Sequence, residues 1–175
     1  MEKITVTAYI GLGANLQDRL GYLKKALEKI KETYGIRLIA CSGVYESVPE
    51  GRKTGPKFLN AVTAVETWIS EECLLDVLEK IEKELGRTEK GTSGNRTIDL
   101  DLLLYGDVCL SGPSLVLPHP RMCQRRFVLE PMAELVPHKE IPGTGMKVSE
   151  HLLKLESKEP FILYKRFDKS LNVIG

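Results

Sequence analysis

The chain has 175 residues, of which 42% are hydrophobic and 28% charged, and its formal net charge is +1. This length suffices for a real core in one domain, and the balance is ordinary for a soluble globular protein. A near-neutral chain has no general attraction to nucleic acid or to anionic membrane, so phosphate binding must come from a local cationic cluster. The first residues include Glu2 and Lys3 and show no signal-peptide core, and no apolar run approaches the ~20 residues of a membrane span. Cys41, Cys73, Cys109 and Cys123 are widely spaced and form no C-x-x-C pair. Reduced thiols in a cytoplasmic protein are the expectation.

Residues 4–10 alternate and are β-rich, which predicts a strand. Gly11-Leu12-Gly13-Ala14-Asn15 follows. Leu16 stands where a dinucleotide fingerprint needs its third glycine, so the segment reads as a tight strand-to-helix turn with Asn15 as N-cap. No P-loop sequence occurs. A helix is predicted over 16–33, with Leu16, Leu20, Leu23, Leu27 and Ile30 on one stripe and Gly35 as its stop. Residues 36–46 read as a second strand, 47–57 as a Gly- and Pro-rich loop, and 58–68 as a third strand. Ser70 caps a second helix, 71–85, and Gly86 ends it. Residues 86–95 hold three glycines and no large apolar group, which predicts a second mobile loop. Beyond the strand at 94–105, a turn and short strand are expected over 106–117, a short helix or turn over 121–135, a short helix over 148–155 and an edge strand over 161–167. The order β-α-β-β-α-β predicts an α+β fold of the ferredoxin-like kind, a two-layer sandwich with both helices on one face of an antiparallel sheet. The other face is then open to a site. The expected organisation is a single domain over 1–175, with a core of about 4–155 and a C-terminal extension over 156–175.

The strand with the most chemistry is Gly94-Asn95-Arg96-Thr97-Ile98-Asp99-Leu100-Asp101-Leu102-Leu103-Leu104-Tyr105. Strict alternation puts Ile98, Leu100, Leu102 and Leu104 on one face and Asp99, Asp101, Leu103 and Tyr105 on the other. Two residues along a strand span roughly 6.6–7 Å, so both carboxylates can converge on one point. Carboxylates beside apolar neighbours need compensating cations, and Mg²⁺ is commonly held by one or two carboxylates plus substrate phosphates. An edge strand that happens to carry two aspartates on its polar face is the other reading, and the pattern alone leaves both open. Arg96 lies just before the pair. His119, Arg121, Arg125 and Arg126 cluster in one stretch, with His119 held stiffly in Pro118-His119-Pro120. Arginine grips phosphate oxygens bidentately. Taken singly, each arginine is as readily a solvated surface residue, and Phe58 and Phe127 are as readily core.

Several separated motifs, in order, resemble the 6-hydroxymethyl-7,8-dihydropterin pyrophosphokinase family: Tyr9-Ile10-Gly11-Leu12-Gly13-Ala14-Asn15-Leu16, Phe58-Leu59-Asn60-Ala61-Val62, the 95–103 stretch, Leu117-Pro118-His119-Pro120-Arg121-Met122 and Arg125-Arg126-Phe127-Val128-Leu129. The resemblance runs from about residue 6 to 153. It implies a transferase of folate biosynthesis that moves the β,γ-diphosphoryl group of ATP to the hydroxymethyl oxygen of the pterin and releases AMP, with three mobile loops around the site. By the same resemblance, Asp99 and Asp101 are ligands of two Mg²⁺ ions. Arg96, Asp99, Asp101 and Arg125 are the catalytic set, and Glu82, Arg87, Arg96, Leu102, His119 and Arg125 meet ATP. Ser47, Val48, Glu50, Phe58, Asn60 and Phe127 meet the pterin, with Phe58 and Phe127 as the rings on either side of it. ATP and the pterin are the implied partners, with no nucleic acid and no membrane.

The chain departs from the family in its second loop. Thr92 and Asn95 stand where many relatives carry other residues, Thr92 and Ser93 are nearest to where some place a tryptophan, and Glu89 stands where some have an arginine. A differently gated lid is the expectation. Two other functions are weighed. A nucleotide or metal sensor without catalysis sits poorly with a complete pterin pocket. A two-metal phosphodiesterase would want more carboxylates and a basic groove.

Overall fold

The computed structural model describes residues 3–51, 54–87, 97–157 and 159–175. Its elements are β1 (Val6–Ala14), α1 (Arg19–Glu32), β2 (Ile36–Cys41), β3 (Val44–Ser47), β4 (Phe58–Thr67), α2 (Glu71–Glu84), β5 (Asp99–Tyr105), β6 (Leu110–Ser111), β7 (Val116–Leu117), a 3-10 turn (Met122–Gln124), α3 (Arg126–Leu135), β8 (Glu140–Ile141), β9 (Met146–Lys147), α4 (Val148–Lys154), β10 (Phe161–Phe167) and β11 (Val173–Ile174). The main sheet is antiparallel in the order β11-β10-β3-β4-β1-β5, and β2 also pairs with β4. This is the α+β arrangement expected from the β-α-β-β-α-β order.

Side chains of β1, β4 and β5 pack one way onto α1 and α2, through Leu23, Leu27 and Ile30 from α1 and Leu74, Leu78 and Ile81 from α2. The opposite face is not wholly open. Tyr9, Val62, Ala64, Leu103 and Leu104 bury against Val128, Leu129 and Met132 of α3 and Val148 of α4. These later helices cover one end of that face and leave the other end as a cleft.

Four local expectations change. Strand β1 runs on through Gly11 and Gly13 to Ala14, so the glycines are sheet residues and not a turn. Helix α1 starts at Arg19, capped by Asp18, whose carboxylate accepts the Gly21 N–H at 3.0 Å, so Asn15 and Leu16 precede the helix. The stretch 36–46 divides into β2 and β3 at Ser42-Gly43. Cys41 stands opposite Thr63 and Tyr45 opposite Asn60, so one extra residue is accommodated there as a bulge. Ser42 fills the gap in the ladder: its Oγ accepts the Val62 N–H at 2.9 Å and donates to the Gly43 carbonyl at 2.8 Å. Alternation in β5 also breaks. Ile10 faces Leu102 but Tyr9 faces Leu104, which leaves Leu103 as a bulge residue. Leu104 therefore joins Leu103 under α3, while Tyr105 turns to the α1/α2 side and donates its hydroxyl to the Ile69 carbonyl at 2.7 Å.

Ser42 and Val62 are both buried. Replacing Ser42 by alanine leaves the Val62 N–H without its acceptor, and the expected loss is about 1–3 kcal/mol in urea unfolding. A change within about 0.5 kcal/mol, the range of ordinary surface substitutions, would show that the main chain re-pairs across the bulge.

Candidate active site

The cleft has a volume of about 430 Å³. Its floor follows from strand register. Gly13 lies between Asn60 of β4 and Asp99 of β5, and Gly11 lies between Val62 and Asp101. Side chains two apart on a strand share a face, so Gly11, Gly13, Asp99 and Asp101 open to the same side, and all four line the cleft. A β-carbon on Gly13 would stand 3.6 Å from Asn60 Oδ1 and 3.9 Å from Phe58 Cδ1. That is ordinary contact, so the glycine is not required by the backbone. What its missing side chain provides is depth in front of the aspartates.

Beneath β5, Glu82 of α2 is 2% exposed. Its Oε1 accepts the Leu100 N–H at 2.6 Å and Arg87 Nη1 at 2.7 Å. The same Nη1 also donates to Asp99 Oδ1. Arg87 is brought there by the end of α2. Gly86, at φ +92°, donates its N–H to the Lys83 carbonyl and Arg87 donates its own to the Glu82 carbonyl, which is the paired closure of a glycine-terminated helix. The guanidinium side chain is then 7% exposed. Burial opposes its charge, but Asp99, Glu82 and Asp101 more than compensate and hold it above the ordinary arginine value.

The opposite wall is cationic and aromatic. Arg125 and Phe127 line the cleft, with the guanidinium 5.4 Å from the ring centre. Glu50, from the loop after β3, bonds Arg121 Nη2 at 2.8 Å and Arg125 Nη2 at 3.3 Å. Arg125 Nε is buried and has no hydrogen-bond partner among the described residues. His119 is anchored by its N–H to the Leu103 carbonyl at 2.9 Å, and its Nδ1 accepts the Arg121 N–H at 3.2 Å. A neutral ring then carries its proton on Nε2. Burial, with Arg125 and Arg121, pushes the imidazole below its ordinary value against the pull of Asp99.

Ser47, Val48, Glu50, Phe58, Asn60 and Phe127 all line the cleft, as do Asp99, Asp101 and Arg125. Asn60 Nδ2 donates to Ser47 Oγ at 2.8 Å, joining β4 to β3 at the cleft wall. Among the expected residues that do not line the cleft, Arg87 and His119 stand beside it, next to Asp99 and Arg121. Glu82 lies under the strand and acts on the cleft through Arg87 and Leu100. Leu102 is a core side chain packed toward α1 and α2, because it follows Asp101 on the alternate face. Arg96 lies outside the described residues, as do Glu89, Thr92, Ser93 and Asn95 of the second loop. Gly11, Gly13 and Asn15 were missed as cleft residues. The signal was present: two glycines two apart, continuing a run already read as a strand.

Paired carboxylates on a cleared floor, facing guanidinium groups and a ring, have the make-up of a group-transfer site. Residues 9–137 match the family described as 7,8-dihydro-6-hydroxymethylpterin-pyrophosphokinase (HPPK). The chain is 39% identical over 139 residues to the 2-amino-4-hydroxy-6-hydroxymethyldihydropteridine pyrophosphokinase of Haemophilus influenzae, covering 79% of this chain and 87% of that protein. It is 40% identical over 147 residues to the folic acid synthesis protein fol1 of Pneumocystis carinii, covering 84% of this chain and only 20% of that longer protein. In fold it is similar to the crystal structure of Plasmodium falciparum HPPK-DHPS with pterin and p-hydroxybenzoate, at TM-score 0.70 and 16% identity, covering 87% of this chain and 43% of that one. The chain belongs to the 7,8-dihydro-6-hydroxymethylpterin-pyrophosphokinase family, and its activity is that of a pyrophosphokinase.

The Glu50 carboxylate sits where an anion would meet Arg121 and Arg125. Glu50→Gln is expected to tighten inorganic tripolyphosphate binding, by about fivefold at most, since partly exposed ion pairs contribute little. Titration calorimetry reads this directly, and an unchanged or weaker affinity would show that Glu50 does not compete.

Proposed function

We propose that this chain catalyses transfer of the diphosphoryl group of Mg-ATP to the hydroxymethyl group of 6-hydroxymethyl-7,8-dihydropterin, with release of AMP, as a step of folate biosynthesis in the cytoplasm. The observation that carries the reading is the cross-strand set Asn60–Gly13–Asp99 and Val62–Gly11–Asp101 at the floor of a cleft walled by Phe58, Phe127 and Arg125. In the reaction, the hydroxymethyl oxygen forms a bond to the β-phosphorus, the bond from that phosphorus to the oxygen of AMP breaks, and the hydroxyl proton is released. Four free cysteines support a reducing compartment.

Among the described residues no group of three metal-ligating side chains occurs. Two cleft-facing carboxylates nevertheless fit Mg²⁺, which keeps several waters and completes its shell with substrate phosphates. Asp99 and Asp101 are the residues that would hold it, as two ions by family resemblance. Bound there, it supplies neutralisation of charge on the triphosphate and a template for in-line transfer.

The protein's own groups do the rest. Arg125, whose buried Nε has no partner among the described residues, and Arg121 receive phosphate oxygens once Glu50 yields them. His119, neutral and protonated on Nε2, offers one further donor without adding charge. Arg87 stands beside Asp99 and is held by Glu82, so it balances the carboxylate before substrates arrive. Phe58 and Phe127 take the flat pterin between them, and Asn60 and Ser47 read its polar edge. Positioning and charge neutralisation account for most of the catalysis in such transfers.

AMP release from Mg-ATP is expected only when the pterin is present, and Asp101→Asn is expected to lower it by about 100-fold or more. ADP or phosphate formed without pterin would point to another phosphotransferase or a hydrolase. Pterin-dependent ATP binding without turnover would make the chain a sensor.

A further inference from the structure

The functional reading uses nothing after α4, yet the C-terminal strand touches the pterin end of the cleft from behind. Strand β10 lies along the outer edge of β3, with Phe161 opposite Ser47, Ile162 opposite Glu46 and Leu163 opposite Tyr45. Strand β3 therefore has paired neighbours on both sides, β4 and β10. Ser47 is its last residue and the first of the cleft wall.

The side chains then tie this strand to α3. The Phe161 ring stacks on Tyr45, with centres 4.9 Å apart and planes 9° from parallel. The Arg126 guanidinium lies 5.3 Å from the Phe161 ring centre, and its Nη1 donates to the Glu159 carbonyl at 3.3 Å. At the far end of α3, Glu134 accepts the Tyr45 hydroxyl at 2.6 Å, the Gly43 N–H at 3.1 Å and the guanidinium of Arg166 from β10. A small pocket of about 80 Å³ is lined by Ser47, Phe127 and Phe161 among others. Burial and the neighbouring Glu134 push the Tyr45 hydroxyl up to about 12, so it stays a donor throughout the neutral range. Burial works against the Glu134 charge, but the Tyr45, Arg166 and Gly43 donors outweigh it and hold the carboxyl below the ordinary glutamate value.

We infer that residues 159–167 form a strap that sets the separation of Ser47 and Phe127, and that Phe161 is the positioning residue through which the strap shapes the pterin end of the cleft. The inference rests on the functional reading above and extends it to a part of the chain beyond the matched residues 9–137. The strap reaches the phosphate side only at Arg125, the neighbour of Arg126, which lines the same small pocket. Strand β10 pairs with β3 and β11, whereas Asp99, Asp101 and Arg87 are set by β1, β5 and α2 on the other side of the sheet centre.

Steady-state kinetics of the full chain with separate variation of the two substrates test this. For Phe161→Ala the KM for the pterin is expected to rise about tenfold, with the KM for ATP within about twofold and kcat within about threefold, the scale of one lost aromatic pair. Arg166→Ala should move the same constant in the same direction, and Phe161→Tyr should return it to the wild-type value. If Phe161→Ala fails to fold, Phe161→Leu keeps an apolar side chain in the strand and gives the same readout. Unchanged KM values beside a lowered melting temperature, or an equal rise in both KM values, would overturn the strap. A wild type that forms no pterin-dependent AMP overturns the functional reading and the strap with it, whereas normal wild-type turnover with unaltered variants overturns the strap alone.

Discussion

Strand β1 sits between β4 and β5, and its two glycines occupy positions where any other residue would project into the cleft. Everything functional depends on this vacancy in the sheet surface. It leaves the carboxylates of Asp99 and Asp101 reachable from outside while the same strands, one residue out of phase, bury Leu12, Leu100 and Leu102 against α1 and α2. A single three-strand unit thus supplies both core and floor, and the period of two separates them.

Electrostatics is organised around that floor in layers. Glu82 is fully enclosed, Arg87 is nearly so, and Asp99 is 19% exposed at its side chain. Charge alternates in sign along this line toward the cleft. A buried ion pair is weak evidence of stability, because desolvation offsets the attraction. Its better use here is orientation: Glu82 spends an oxygen on the Leu100 N–H, which fixes helix α2 against the start of β5 between the two aspartates. On the facing wall the Glu50 carboxylate links two guanidiniums across a loop boundary. The two walls therefore differ in kind, one built on a helix and strand and the other on a loop and a helix start.

The element order, the Ser70 cap, the stop at Gly86 and the paired aspartates were all legible, since each rests on a local rule of spacing or capping. The floor was not read, because Gly-x-Gly after a strand is also the signature of a turn, and local rules favour the turn. What decides for the strand is pairing with β4 and β5, far away in the chain. The breaks at Ser42 and Leu103 were likewise invisible, since a bulge is fixed by the partner strand's register and leaves no period of its own. Helices α3 and α4 were expected as short elements, but their place on the second face depends on Tyr9, Val62 and Leu104 turning toward them. The C-terminal strand was expected at an edge, and its reach to α3 through Phe161 and Arg166 is a matter of three-dimensional neighbours.

The bulge at Leu103 has a consequence for how this chain tolerates insertions and deletions. It lets two leucines in succession face α3, so the aspartates and Leu104 share a side although their numbers differ in parity. Removing one residue there would straighten β5. Leu104 would then take the place of Leu103 under α3, with Tyr105 still on the α1/α2 side and Asp99 and Asp101 still in the cleft. The run between Asp101 and Tyr105 therefore has one residue to spare, whereas a deletion between Asp99 and Asp101, where no bulge takes up the slip, would turn one of the two carboxylates into the apolar layer under α1 and α2.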